Sequence, residues 1–519
     1  MKKLYKMAFS SAALSLVLIV AEILILGFAL FYLSEYSRLI YILRSLATAV
    51  ISISLLVSDK NPEFKLSWLT AIAIFPVFGA LLYIIFYKRR LTKREMRLKE
   101  EADGCLLAFR SLIGKRCLLN LQELGNANSP AASEAVSIMK DDTGATLFSK
   151  SRMTYFPSGE EMFRSMLRDI EAAKDFVCLE YFIIEDGQMW QRLEAVLEEK
   201  AKSGVRIHLI YDYIGTLGKL PRGFAKELSK KGINAICFGR ITPHLTSAHN
   251  SRDHRKILVV DGKVAYTGGI NIADEYINAK QRFGHWKDGG VRVFGDAALG
   301  FLEIFARNFA LCQGNCRGLE ELFAPIFNDA AESPSDGGFY LPFSDGPSPL
   351  FPNYTSKNAI VNLIGSSHNY LFITTPYLIV DYDLTEALIR AAGRGVDVRI
   401  ITPGIADKRI VKIMTKSSYP KLLAGGVRIF EYEKGFIHEK TILSGASSAI
   451  IGTINLDYRS LVHHFEDGLF IYGSEELGKI KEEFLKTAAD SLEIMPKNAR
   501  LTIKEILVRS AVRFIAPLL

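Results

Sequence analysis

Three apolar runs open the chain: Met7 to Leu33, about Leu39 to Val57, and about Leu66 to Tyr87. The first is long enough to span a bilayer. It is too long, and wrongly flanked, for a cleaved signal peptide. The second and third predict a hairpin around "SDKNPEFK", and "KRRLTKREMRLK" follows the third directly. Such a density of Lys and Arg marks the cytoplasmic side, so the bulk that follows is expected in the cytoplasm. Three spans put the N-terminus outside although "MKKLYK" carries three lysines; the larger cluster at 88–99 is expected to dominate. Glu22 stands mid-run, where a charge costs about 2.5–3.5 kcal/mol, and Arg44 lies near the start of the second run. Both are read as structural.

Beyond residue 100 the pattern changes. "FVCLEYFIIEDGQMWQRLEAVLEEKAKSGVRIHLIYD" and "YLFITTPYLIVDYDLTEALIRAAGRGVDVRIITPG" share one design: apolar run, amphipathic helix pattern, Gly, second apolar run. Each predicts a β-α-β unit with parallel strands. Each is followed by a His-x-Lys stretch, "HRKILVVD" from His254 and "HEKTILSG" from His438. Four pairs keep one offset of 184 residues: His254/His438, Lys256/Lys440, Gly268/Gly452 and Asn271/Asn455. A lone His-x-Lys arises by chance, whereas an ungapped register over four positions argues for duplication. The Gly-, Pro-, Ser- and Asp-rich stretch near "NDAAESPSDGGFYLPFSDGPSP" marks the boundary. The expected organisation is a membrane region 1–100 with two to three spans, a first half 101–328, a linker 329–348, a second half 349–492 and a C-terminal helix 493–519. The fold class is α/β: two pseudo-symmetric half-domains, each a mixed sheet flanked by helices.

Residues two apart on a strand face the same way, so each His and its Lys are expected to project together. A pseudo-twofold axis can gather two His and two Lys around one pocket. Such a set suits a phosphodiester. Lys256, Lys440 and the donors Asn271 and Asn455 can hold phosphoryl oxygens. One imidazole can attack phosphorus while the other moves the proton of the leaving and entering alcohols. Each imidazole needs an acid to fix its tautomer, and Asp288 and Glu466 hold comparable places before a final strand. No carboxylate cluster is spaced to hold a metal, and neither metal nor cofactor is expected. Taken singly, each of these residues reads more simply as structural or solvated; the shared register outweighs that.

Composition adds less. The net charge of +8 favours anionic partners. Six scattered cysteines without a CxxC pair carry neither a disulfide framework nor a zinc site. "RLTIKEILVRSAVRFIAPLL" predicts a basic amphipathic helix, able to lie on an anionic leaflet or to pack on the catalytic part.

With HxK, a Gly-rich turn and Asn present twice, and HxKxxxxD complete in the first copy, the chain resembles the phospholipase D superfamily and, within it, the bacterial cardiolipin synthases. "NPEFKLSWLTAIAIFPVFGALLYIIF", "LEYFIIEDG", "HRKILVVDGKVAYTGGINIADEY", "TPYLIVD", "RGVDVRIITPG", "GTINLDYRS" and "APLL" carry that resemblance from about residue 40 to 519. It implies two phospholipase D-like halves behind transmembrane helices in the bacterial plasma membrane. It also implies phosphatidyl transfer between two phosphatidylglycerol molecules, giving cardiolipin and glycerol. On that analogy His254 is the nucleophile and His438 the general acid/base. Anionic membrane lipids are the expected partners, and nucleic acid is not. A phospholipase D or phosphatidylserine-synthase-like enzyme with another acceptor is the first alternative. A non-catalytic membrane scaffold is the second.

That scaffold rests on one departure: the family's second motif carries Asp where this chain has Gly445. In the first copy Asp261 precedes Gly262 and a further apolar run, a hairpin signal. Asp261 is therefore expected in a tight turn, off the His/Lys face, and Gly445 in an equivalent turn that leaves the second half competent.

Overall fold

The computed structural model describes residues 38–58, 62–74, 93–126, 130–142, 144–240, 251–314 and 335–499, with isolated residues outside them. The chain divides into two compact units: 1–90 with 239–251 and 509–519, and 91–238 with 252–508.

In the smaller unit, Arg38–Val57 and Pro62–Ile74 are helices. They meet through a small core of Leu55, Trp68, Ile72 and Tyr83. Among the described residues, no helix is long and apolar enough to cross a membrane. The run Met7–Leu33 and the C-terminal amphipathic segment lie, apart from isolated positions, outside the described residues.

The larger unit is built on two sheets with one plan. In the first, β1 (Ser151–Phe156), β2 (Phe176–Tyr181), β3 (Arg206–Asp212) and β4 (Ile233–Phe238) join β5 (Lys256–Val260), β6 (Val264–Gly268) and β8 (Gly290–Gly295) in the order β1-β8-β6-β5-β2-β3-β4. In the second, β9 (Phe339–Asp345), β10 (Tyr370–Thr374), β11 (Asp397–Pro403), β12 (Arg428–Tyr432), β14 (Thr441–Ser444), β15 (Ser448–Gly452), β16 (Glu466–Tyr472) and β17 (Ser491–Glu493) run in the order β9-β16-β15-β14-β10-β11-β12-β17. Strand for strand the orders coincide, with β17 added at one edge. β2/β3 and β10/β11 are the parallel pairs that the two β-α-β patterns predict.

Sequence dictates this arrangement through burial on both faces. In "FVCLEY" every residue is buried. Phe176 and Cys178 point to the core between the sheets, whereas Val177, Leu179 and Tyr181 point to the outer helices. Phe372, Ile401, Phe430, Leu443 and Ile451 of the second sheet complete the inter-sheet core. Gly159–Glu171 and Gln188–Lys202 cover the first sheet from outside; Thr355–Ser366 and Tyr382–Gly393 cover the second.

Two expected boundaries shift. Residues 339–345, expected inside a linker, are β9, the edge of the second sheet. Pro342 misleads there, because an edge strand accommodates Pro and a central one does not. Helix Pro130–Asp141, expected in the first half, packs its Ala131, Ala135 and Ile138 into the core of the second.

Candidate active site

The two His-x-Lys stretches meet where the halves exchange short segments. β13 (Gly435–Ile437) pairs in parallel with β7 (His285–Lys287), and its next residue, His438, donates its N–H to Lys287 O at 2.7 Å. The first motif mirrors this: Asp253 bridges Phe465 in parallel, and His254 N–H donates to Phe465 O at 2.9 Å. Each motif histidine is thus bonded to the other half, just before that half's acid. This also corrects the expectation that the histidines ride on their strands. β5 starts at Lys256 and β14 at Thr441, so both imidazoles stand ahead of the sheet.

The carboxylates are exchanged in consequence. Nδ1 of His254 lies 3.0 Å from Glu466 Oε2, and Nδ1 of His438 lies 2.7 Å from Asp288 Oδ2. Each acid faces the histidine of the opposite half. All four groups are buried. Burial pushes both imidazoles well below the usual histidine range. Burial raises Asp288 to about 6. It also acts to raise Glu466, but the interactions with His254 and His464 outweigh it and hold that carboxyl low. Thr453 and Ser460 hydroxyls donate to Glu466.

Lys256 and Lys440 each donate to the carbonyl of their own motif histidine. Burial lowers the two ammonium groups, Lys256 to about 8 and Lys440 to about 7. The halves differ here. Lys440 Nζ also lies 2.9 Å from His438 Nδ1, so that nitrogen stands between an ammonium and a carboxylate. The His254 side has no matching lysine contact among the described bonds; its Nδ1 meets Glu466. Aromatic rings wall the site: Phe182 lies 5.1 Å from the His254 ring, and Tyr276 and Trp286 lie 5.4 and 5.5 Å from His438.

The remaining expected residues divide. Asn271 is buried, but its carboxamide accepts from Ile183 N–H and donates to Tyr276 OH, so it braces the ring beside His438. Asn455 is buried with its Oδ1 unpaired. Asp261 stands apart, as its turn predicts. At φ 51°, its carboxylate accepts from the N–H groups of Lys174, Asp175 and Phe176 at 2.8–2.9 Å. Counted among the catalytic candidates by its motif, it ties down a turn instead. Gly445 occupies the same turn at φ 56°, with its N–H on Tyr370 O.

Three participants escaped sequence reasoning. Asp467, raised by burial to about 7, accepts from Thr267 OH and from Lys256 N–H. His464 lies 5.3 Å from the His254 ring, with its Nδ1 3.7 Å from Glu466 Oε1. With His254 and Glu466 it forms the group, among the described residues, that could hold a metal ion. Trp286 carried no signal beyond its neighbourhood to Asp288. The acidic and histidine content of "HHFEDG" was visible, but nothing local tells which half it serves.

Duplicated sheets that lend each other an acid define a phospholipase D-like fold and site. Family comparison agrees: the model described as "Cardiolipin synthase, PLD-like domain" matches residues 166–281 and 360–488, and "Phospholipase_D-nuclease N-terminal" matches 46–86. Cardiolipin synthase 2 of Bacillus cereus is 32% identical over 89% of this chain and 88% of its own. Cardiolipin synthase of Geobacillus kaustophilus is 30% identical over 94% and 95%. Among solved structures, phosphatidylserine synthase of Haemophilus influenzae superposes with a TM-score of 0.53 at 14% identity, covering 71% of this chain and 95% of that one. The chain belongs to the cardiolipin synthase family, phosphatidyltransferases of the phospholipase D type.

Proposed function

We propose that this chain makes cardiolipin and glycerol from two phosphatidylglycerol molecules through a phosphohistidine on His254. The observation that carries the assignment is the difference between the two Nδ1 atoms. That of His254 faces the low-lying Glu466 carboxylate, so the proton sits on Nδ1 and the Nε2 lone pair is free to attack. That of His438 is shared between Asp288 and Lys440, a setting in which a proton is easily taken up and returned.

In the first step the bound phosphodiester anion favours the imidazolium of His438 against the burial that lowers it; His254 Nε2 bonds to phosphorus, the bond to the glycerol oxygen breaks, and that imidazolium supplies the proton. In the second, a free hydroxyl of another phosphatidylglycerol passes its proton to His438, bonds to phosphorus and displaces His254. Lys256 and Lys440 hold the phosphoryl oxygens as charge builds on them. Asp288 and Glu466 orient the imidazoles; Asn271 already donates its amide N–H to Tyr276 OH, so the donor role toward phosphate falls to Asn455.

The same reading places the enzyme at the bacterial plasma membrane with its larger unit in the cytoplasm. The matched N-terminal region supports this. So do Val50, Ile53, Leu56 and Val57, apolar residues that helix Arg38–Val57 leaves exposed.

Purified full-length protein in phosphatidylglycerol micelles, with the lipids read by mass, tests the reaction. Cardiolipin plus free glycerol, lost in His254→Ala, is the expected result. Phosphatidic acid alone would make water the acceptor and overturn it.

A further inference from the structure

The parallel strands of both halves end beside the His-x-Lys motifs: Tyr181 of β2 stands across from Lys256, and Thr374 of β10 across from Thr441. The segments leaving the neighbouring strands β3 and β11 therefore emerge at the active-site end of each sheet. Both expose apolar side chains. After β3 these are Ile214 and Leu217, 36% and 46% exposed; after β11 they are Ile405 and Ile410, 42% and 55% exposed.

Single exposed apolar residues are ordinary. These four are set among cations. Arg222 closes the first segment, and Lys408 and Arg409, both exposed, lie between the two isoleucines of the second. Segment 404–416 carries four Lys or Arg against one Asp. A third segment links the two. Lys280 and Lys219 share Glu185, at 2.8 and 3.5 Å, and a Cβ on Gly284 would stand 3.1 Å from Ile405 Cδ1. Residues 213–222, 280–284 and 404–416 thus run as one basic, apolar-studded rim at the motif end of the sheets.

We propose that this rim is a bilayer-contacting face of the larger unit. Ile214, Leu217, Ile405 and Ile410 enter the boundary between headgroups and acyl chains of an anionic leaflet, and the surrounding Lys and Arg meet lipid phosphates. A phosphatidyl headgroup then reaches the two histidines without its acyl chains leaving the membrane. The proposal deepens the lipid-transfer reading and rests on it for the substrate.

The full-length chain in phosphatidylglycerol bilayers provides the test. The variant Leu217→Ser/Ile410→Ser is compared with the parent on bilayer phosphatidylglycerol and on short-chain phosphatidylglycerol dispersed as monomers. The expected result is at least a tenfold loss on bilayers and less than a twofold change on monomers. Equal losses on both, or none on bilayers, would overturn the face. Should the parent itself transfer no phosphatidyl group, the function reading fails, and hydrogen exchange still decides the face. Amides of 213–222 and 404–416 are expected to exchange more slowly in phosphatidylglycerol nanodiscs than in phosphatidylcholine ones. Identical exchange in both overturns it.

Discussion

Lys440 and Lys256, lowered by burial to about 7 and about 8, set the pH behaviour at the residue scale. A lysine whose pKa falls loses its charge as pH rises through that value, and with it the attraction for a phosphoryl oxygen. His254, already held well below the usual range, stays neutral throughout; His438 is lowered as well, so the protonated form that acts as acid also declines as pH rises. The free enzyme is therefore expected to lose kcat/KM as pH rises from 6 to 9. A bound phosphodiester anion favours the ammonium form, so kcat should fall only at higher pH. Measuring both profiles checks this, and a flat kcat/KM over that span contradicts it. Gly445 gives the second residue-scale expectation. Where Asp261 binds three N–H groups, the second half has rebuilt its turn: Asn369 takes φ 62° and Tyr370 N–H goes to His368 O at 2.7 Å. The turn closes without the acid and holds no part of the His/Lys set. Gly445→Asp should leave kcat within about twofold, or roughly 0.4 kcal/mol of barrier. A gain of several orders of magnitude would mean that the second motif is crippled.

Asp142 shows how single elements join the halves. It follows helix Pro130–Asp141 and accepts from Ser344 N–H and OH in β9 at 2.8 and 2.9 Å. It also pairs with Arg307, at 3.4 Å, on helix Ala298–Gln313. Buried as it is, Asp142 remains ionised, since these partners outweigh the burial that raises it. Removing one partner of a buried pair costs about 3–5 kcal/mol, so Asp142→Ala should lower unfolding free energy by that order in a denaturant titration. A loss under about 1 kcal/mol would show that the tie is idle. None of this was legible in the sequence. The parallel strand pairs were, because apolar runs around an amphipathic helix declare them locally. β9 was not, since "GGFYLPFSDG" carries the Gly and Pro of a linker and becomes a strand only by pairing with β16. The site was legible to the same depth. The shared offset of 184 residues singled out His254, Lys256, His438 and Lys440, and a comparable place before a final strand singled out Asp288 and Glu466. Which acid serves which histidine depends on contacts across 212 and 150 residues, which no local pattern encodes.

At the scale of the whole molecule, those exchanged acids make the halves interdependent. A half by itself has its histidine without the matching carboxylate: His254 lacks Glu466, and His438 lacks Asp288. It also lacks the opposite wall of the inter-sheet core, leaving Phe372, Ile401 and Leu443, or Phe176, Ile257 and Val293, open to water. An apolar sheet face of that extent seeks a partner or aggregates. The chain can be divided between Gly314 and Ser335, where neither flank belongs to a strand. Expressed separately, the two pieces are expected to be insoluble or inactive. Expressed together, they should copurify and regain phosphatidyl transfer, because every strand pairing within the two main sheets lies inside one piece. Copurification with His254→Ala in one piece and His438→Ala in the other should give no activity, since the two mutations damage one shared centre. Mass analysis of lipid products, alongside size-exclusion of the pair, reads the result. Turnover by either piece alone would show that each half holds a complete site, and the exchange of acids would then have no part in the reaction.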